Sequence, residues 1–227
     1  MPYFKKLFIG LMLCLTTFSI MAQNQKPKTF LALGDSYTIG ESVSEDERWP
    51  VQLAKRLTDD HGIAVESPKI IAKTGWRTDD LKKAIVDDFS LSNSYDMVSL
   101  LIGVNNQYQD RPIVDFETDF EKLIKTAIEL ANGNREHVFV VSIPDYGKTP
   151  FGKQKEDEIR KEIDLYNKIG RRISKRYKVK YFNITPISRK AKKRPELVAK
   201  DELHPSGIMY TEWVDSIIED VAKLIVK

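Results

Sequence analysis

Short β-rich runs alternate with stretches of helical period from residue 29 to the end of the chain, and no other feature restricts the fold as strongly. The β-rich runs fall at 29–33, 69–72, 97–102, 137–143 and 179–184. Between the first two, Val51, Leu53, Ala54 and Leu57 recur at helical spacing behind Pro50, and His61-Gly62 reads as the helix end. Thr78, Asp79 and Asp80 open a second helix through Leu81, Ala84 and Ile85, with Thr78 in the capping position. Phe116, Phe120, Leu123, Ile124, Ala127 and Leu130 line a third over 115–131. A long helix carrying Ile159, Ile163, Tyr166 and Ile173 precedes the last strand, and Trp213, Ile217, Val221 and Ile225 line the closing helix. Helical crossovers make successive strands parallel, and a run as apolar as 97–102 is covered on both faces. The prediction is an α/β fold, a three-layer α/β/α sandwich around a central, mostly parallel five-stranded sheet.

The first 22 residues stand apart from this pattern. Lys5 and Lys6 precede an uncharged run over 7–22, after which Gln23, Asn24 and Gln25 turn the chain polar. That run falls short of the roughly 20 residues a spanning helix needs and reads as a signal peptide cut after Ala22. The expected product is one domain over 23–227, exported to the periplasm or beyond, with no stable membrane span. Cutting removes Cys14, the single cysteine, so no disulfide is available and an apolar core must hold the fold. It also removes Lys5 and Lys6, taking the net charge from +3 to +1, which gives no ground for a nucleic-acid partner.

In an open parallel sheet, ligands bind beyond the carboxyl ends of the strands. Gly34-Asp35-Ser36 lies just past the first. A serine hydroxyl needs a base to become a nucleophile, and the chain offers His61, His137 and His204. The first two sit at a helix end and a strand start, where a solvated histidine is expected. His204 lies in the polar segment "DELHPSG", three residues after Asp201, a spacing that lets the carboxylate fold back onto the ring. Gly75 in "KTGW" and Asn105 in "GVNN" follow the second and third runs and offer donors for a developing oxyanion. Taken singly, Gly75 and Asn105 read as turn residues and Asp201 with His204 as a structural link.

Together, in this order and at these strand ends, the four blocks resemble the SGNH (GDSL-type) hydrolase family, over essentially the whole chain after residue 22. The resemblance implies a SGNH/flavodoxin-like fold and a serine esterase that works without a cofactor or metal. It assigns Ser36 as nucleophile, His204 as base and Asp201 as its orienting acid. The oxyanion hole it implies is built from the Ser36 and Gly75 N–H groups and the Asn105 side chain. Tyr37 stands where the family has Leu, and Asn106 where many members have Asp. Asp35 and Tyr37 beside the nucleophile, and Trp76, Arg77, Asn106, Tyr108 and Arg111 after the oxyanion blocks, are candidate substrate contacts.

Lysophospholipase-like and carbohydrate-esterase members both fit, so the ester of a small molecule, a lipid or a glycan is the expected partner. An acyltransferase acting on a sugar and a non-catalytic glycan- or lipid-binding module are the alternatives. The segment "SIPDYGKT" ends like a phosphate loop, but Ser142, Pro144 and Pro150 break that motif. No G-x-S-x-G elbow or H-E-x-x-H pair occurs. The basic run over 188–196 reads as a solvated loop or one facing an anionic surface.

Overall fold

The first strand explains much of the architecture, because all five residues of β1 (Phe30–Gly34) are buried, as a strand covered on both faces requires. A computed structural model describes residues 26–226, and the proposed signal peptide lies outside the described residues. β1 lies inside the sheet between β2 (Lys69–Ala72) and β3 (Met97–Leu101), followed by β4 (Val138–Val141) and β5 (Lys180–Phe182) in the order β2-β1-β3-β4-β5. Every pair is parallel; Gly34, for example, lies opposite Ala72 on one side and Leu101 on the other. All strand carboxyl ends therefore open onto one edge.

The eight helices of the described residues are α1 (Ser36–Ile39), α2 (Trp49–His61), α3 (Thr78–Asp87), α4 (Val104–Tyr108), α5 (Ile113–Leu130), α6 (Glu156–Tyr177), α7 (Thr185–Ser188) and α8 (Gly207–Ile225). α2 packs against α8 in one layer, and α5 packs against α3 and α6 in the other, giving the expected three-layer sandwich. α2 ends as its sequence predicts, with Gly62 in the left-handed region at φ 67°. The start of α3 differs from the expectation. Arg77 holds the capping position, its N–H donating to Asp80 Oδ2 at 3.0 Å, and Thr78 is the first helical residue. The Thr78 hydroxyl is used elsewhere, as an acceptor for Asn106 Nδ2. β4 and β5 are shorter than predicted: the N–H groups of His137 and Val179 bond carbonyls of the preceding turns, and past the carboxyl ends two N–H groups turn to side chains. Ile143 N donates to Asn167 Oδ1 at 2.8 Å and Ile184 N to Ser142 Oγ at 2.9 Å.

The passage from β1 to α1 is the tightest point in the fold. A Cβ on Gly34 would clash with the Thr38 side chain and lie 2.5 Å from the Leu101 carbonyl oxygen. Asp35 follows, fully buried, capping α1 through Oδ1, which accepts from Tyr37 N at 3.1 Å. Its Oδ2 has no partner among the described residues. Burial pushes this carboxyl up to about 7, against the smaller downward pull of backbone N–H groups.

Because the folded value lies above the unfolded one, the native state keeps a proton that the unfolded chain releases. This contribution to stability is complete below about pH 3.8 and is lost as pH rises, being gone above about 7. Asp35→Asn keeps the capping oxygen and supplies a permanently neutral group. Chemical denaturation across pH 4–8 should show the fall in stability between about 4 and 7 flattened in Asp35→Asn. An unchanged slope would show that another group titrates there.

Candidate active site

The sheet edge brings five chain segments around one cleft of about 350 Å³, lined by Ser36 and Tyr37, Thr74 and Gly75, Val104, Asn105, Tyr108 and Gln109, Tyr146 and Phe151, and Leu203 and His204. Ser36, 4% exposed, is the first residue of α1. Its hydroxyl makes no hydrogen bond among the described residues. Gly75 lies in the turn after β2 at φ 84°. A Cβ there would meet nothing within 4 Å, so glycine is required by the backbone conformation and not by crowding. Gln109 Nε2 donates to Gly75 O at 3.1 Å and Asn105 Nδ2 to Trp76 O at 3.0 Å. These bonds fix the two carbonyls and leave the Gly75 N–H without a protein acceptor among the described residues. An amide nitrogen carries two hydrogens, so Asn105 retains one donor for the cleft.

Consecutive asparagines divide two tasks. Asn105 lines the cleft, whereas Asn106, 2% exposed, turns inward. Asn106 Oδ1 accepts from Thr78 N at 3.0 Å and its Nδ2 donates to Thr78 Oγ1 at 2.9 Å, tying α4 to the start of α3. The short α4 begins at Gly103, whose φ of 124° and whose contact with the Phe116 ring leave no room for a side chain.

On the opposite wall, His204 Nδ1 lies 2.6 Å from Asp201 Oδ2, which leaves Nε2 as the free ring nitrogen. The other carboxylate oxygen accepts from the N–H groups of Leu203 and His204, both at 3.0 Å. Ser42 Oγ donates to Oδ2 at 2.7 Å. Partial burial works to raise the Asp201 carboxyl, but these hydrogen bonds, that from Ser42 foremost, outweigh it and hold the group at about 2. Tyr37 packs the edge of its ring system against His204 with centroids 5.6 Å apart. His61 lies at the end of α2 and His137 at the amino end of β4, the edge of the sheet away from Ser36.

Not all candidate contacts reach the cleft. Asp35 is sealed beneath it as a cap, and Asn106 is a brace. Trp76 packs half-buried against the core. Arg77 is engaged by Asp79, with Nε and Nη2 at 3.0 and 2.9 Å, and by Gln109 at 2.6 Å. Arg111 pairs with Asp115 at 3.7 Å in a separate recess. Tyr37 and Tyr108 do line the cleft. Sequence reasoning missed Tyr146, Phe151 and Leu203; the first two follow β4, whose carboxyl end was a legible signal. It also missed the turn after α1, where Gly40 and Ser42 have φ of 71° and 66°. From this turn Ser42 reaches Asp201, and the Glu41 carboxylate accepts from Thr74 beside Gly75.

Among the described residues no helix is long and apolar enough to cross a membrane, and no group of three or more His, Cys, Asp or Glu is placed to hold a metal. Several solved structures share the fold. A lipolytic G-D-S-L family protein from Veillonella parvula DSM 2008 has 17% identity and a TM-score of 0.63 over 85% of this chain and 97% of that one. A lipase/acylhydrolase from Enterococcus faecalis has 21% identity and a TM-score of 0.64 over 86% and 96%. A variant of an acetyl xylan esterase from Geobacillus stearothermophilus has 16% identity and a TM-score of 0.60 over 87% and 97%. At such identities the likeness is one of fold alone, and no curated protein matches the sequence. A family model does match, over residues 32–211, taking in every block from Gly34 to His204, and the chain therefore belongs to the GDSL-like lipase/acylhydrolase family of ester-bond hydrolases.

Proposed function

We propose that the protein is an exported serine esterase that cleaves carboxylic esters of neutral alcohols through an acyl-enzyme intermediate. The observation that carries this reading is the His204–Asp201 pair, 2.6 Å apart, on the wall of the cleft that Ser36, Gly75 and Asn105 also line. Ser36 Oγ attacks the acyl carbonyl as His204 Nε2 takes its proton, and the Asp201 carboxylate stabilises the imidazolium. The oxyanion accepts from the Ser36 and Gly75 N–H groups and from Asn105 Nδ2. The alcohol leaves with the proton from His204, and water activated by the same nitrogen releases the acid.

The cleft lining favours a neutral, partly apolar substrate. Val104, Tyr108, Tyr146, Phe151 and Leu203 supply its walls, and it contains no Asp, Glu, Lys or Arg. With Arg77 and Arg111 engaged elsewhere, an anionic head group would find no cation there. The aromatic wall supports an acyl chain: Tyr108, Tyr146 and Phe151 stand with ring centroids 6.1–6.3 Å apart, and Phe151 is 49% exposed at the rim.

A fluorophosphonate should label Ser36, and Ser36→Ala should hydrolyse activated esters no faster than background. Label found on another serine, with Ser36→Ala still active, would overturn the nucleophile assignment.

The two asparagines should separate in kinetics and stability. Asn105→Ala should lose about 10²- to 10³-fold in kcat, roughly 2.7–4 kcal/mol, with KM changed only a few-fold, because the bond strengthens as charge develops. Asn106→Ala leaves the buried Thr78 N–H unpaired and should lose about 2 kcal/mol of stability, with a smaller effect on kcat. Thermal denaturation beside kinetics distinguishes the two, and reversal of the pattern in folded variants would move the oxyanion donor to Asn106.

Each methylene buried against the aromatic wall contributes about 0.8 kcal/mol, so kcat/KM on p-nitrophenyl esters should rise about fourfold per methylene from acetate to butyrate. Phe151→Ala should flatten that series while leaving acetate the least affected. A wild-type preference for acetate over butyrate would count against an acyl-chain wall.

A further inference from the structure

The basic run that stands out in the sequence is not an open positive surface. Within that run, Arg189 donates to Asp145 at 2.8 Å and to Asp164 at 2.7 Å, and Lys190 pairs with Glu212 at 2.9 Å. Lys192 pairs with Glu156 at 2.9 Å and Arg194 with Glu196 at 2.8 Å. The run is largely neutralised where it stands. Four cations without an ion-pair partner among the described residues lie instead along one stripe of α6: Lys168, Arg171, Lys175 and, just past its end, Lys178. Exposed Arg135, from the turn before β4, joins them.

This stripe borders a groove between α6 and the edge strand β5. One section, of about 560 Å³, contains Lys168, Arg171, Arg172 and Lys175, and it continues past Arg171, Lys175 and Tyr181 to Lys178 and Arg135. Arg172 and Lys180 are paired, with Glu117 and Asp220 respectively, and Asp164 is taken by Arg189. Only Glu136 adds an unpaired carboxylate to the lining, against five unpaired cations. Helix-dipole compensation accounts for cations in the last turn of a helix, but not for Lys168 and Arg171 further back or for Arg135 on another element. Recessed like charges focus the local potential and draw in anions.

We infer that this groove is a docking track for a linear acidic polysaccharide. The cations from Lys168 to Lys178 span about 15 Å, one every three or four residues, about 4.5–6 Å apart along the axis. That arrangement matches a chain with charges repeated along its length better than a single small anion. The groove lining has one aromatic ring, Tyr181, half-buried and tied through its hydroxyl to Asn167 Oδ1 at 3.1 Å, which provides no series of rings on which successive bases could stack. None of the large exposed apolar side chains lines the groove, which leaves nothing to enter a lipid interface. The groove's upper end, at Thr185 and Arg189, lies past the carboxyl end of β5, at the same end of the sheet as Ser36.

The test uses the full-length protein and immobilised polygalacturonate, with neutral dextran, single-stranded DNA and phosphatidylglycerol vesicles as comparisons at equal ionic strength. Polygalacturonate should bind more tightly than any of the three, and the binding should weaken steeply as salt rises. The double variant Arg171→Glu with Lys175→Glu should bind at least tenfold more weakly, while hydrolysis of a small soluble ester is unchanged. Lys193→Glu, in the basic run, should change binding less than twofold. Circular dichroism checks folding, and the corresponding Gln pair replaces the Glu pair if the latter misfolds. Polygalacturonate binding no better than dextran, binding unaffected by the α6 substitutions, or tighter binding of DNA or vesicles would each overturn the proposal. Binding is read independently of ester cleavage, so it stands or falls apart from the catalytic reading.

Discussion

The close approach of β1 to β3 at their carboxyl ends is the constraint on which the rest of the site depends. β1 is paired on both sides, so its end can be reached only from the open edge of the sheet. Gly34 passes under the Leu101 carbonyl with no space for a Cβ, and the chain must then turn at once into α1. Ser36 is fixed by that turn. The segments carrying Gly75 and Asn105 emerge on either side because β2 and β3 flank β1 in a parallel ladder. The Asn105 and Gln109 side chains then lock the two segments together by donating to the backbone carbonyls of Trp76 and Gly75. Positions far apart in the chain thus become neighbours without a long ordered loop.

Two carboxylates lie close to this point in sequence or space and are driven in opposite directions. Asp35 is dehydrated and has one oxygen without a partner, so burial raises it to about 7. Asp201 is only partly buried and its hydrogen-bond donors hold it at about 2. Near neutrality Asp201 therefore carries its full negative charge beside the His204 ring, where an imidazolium would form, whereas Asp35 beneath Ser36 is only partly ionised. Divergent environments of this kind separate the roles of paired acids. The turn over Glu41 and Ser42 contributes to both halves of the site, since Ser42 donates to Asp201 and Glu41 receives Thr74 next to Gly75. A small distortion there would reach the Asp201 carboxylate and the Gly75 turn together.

Much of this was legible in the sequence because strand burial and helical period are local properties. α2 and β2 have their predicted limits, and the four blocks that the resemblance rests on do converge on one cleft. What was not legible depends on the direction of side chains across elements. Asn105 and Asn106 are identical in sequence terms, yet one lines the cleft and the other braces Thr78, because successive residues of a helix project about 100° apart. Arg77 and Arg111 follow the oxyanion blocks in sequence, but nearby carboxylates claim them before they can reach the cleft. Ser42 has no motif at all. Its role follows from a left-handed backbone and from a carboxylate 159 residues away in the chain.

The same limitation governs charge. The run over 188–196 is conspicuous because its cations are adjacent in sequence, but their partners come from other elements and cancel them. Lys168, Arg171 and Lys175 are dispersed among apolar and polar residues of α6 and become a stripe only when the helix is wound. The cleft, in contrast, contains no Asp, Glu, Lys or Arg. Its lining comes mainly from the segments after β1 to β4 and the one before α8, whereas the cationic groove is built mainly on α6 and β5. On the two proposals, a neutral reacting group and a charged carrier chain fall to separate surfaces, so that a change in the charge of one need not disturb the chemistry of the other.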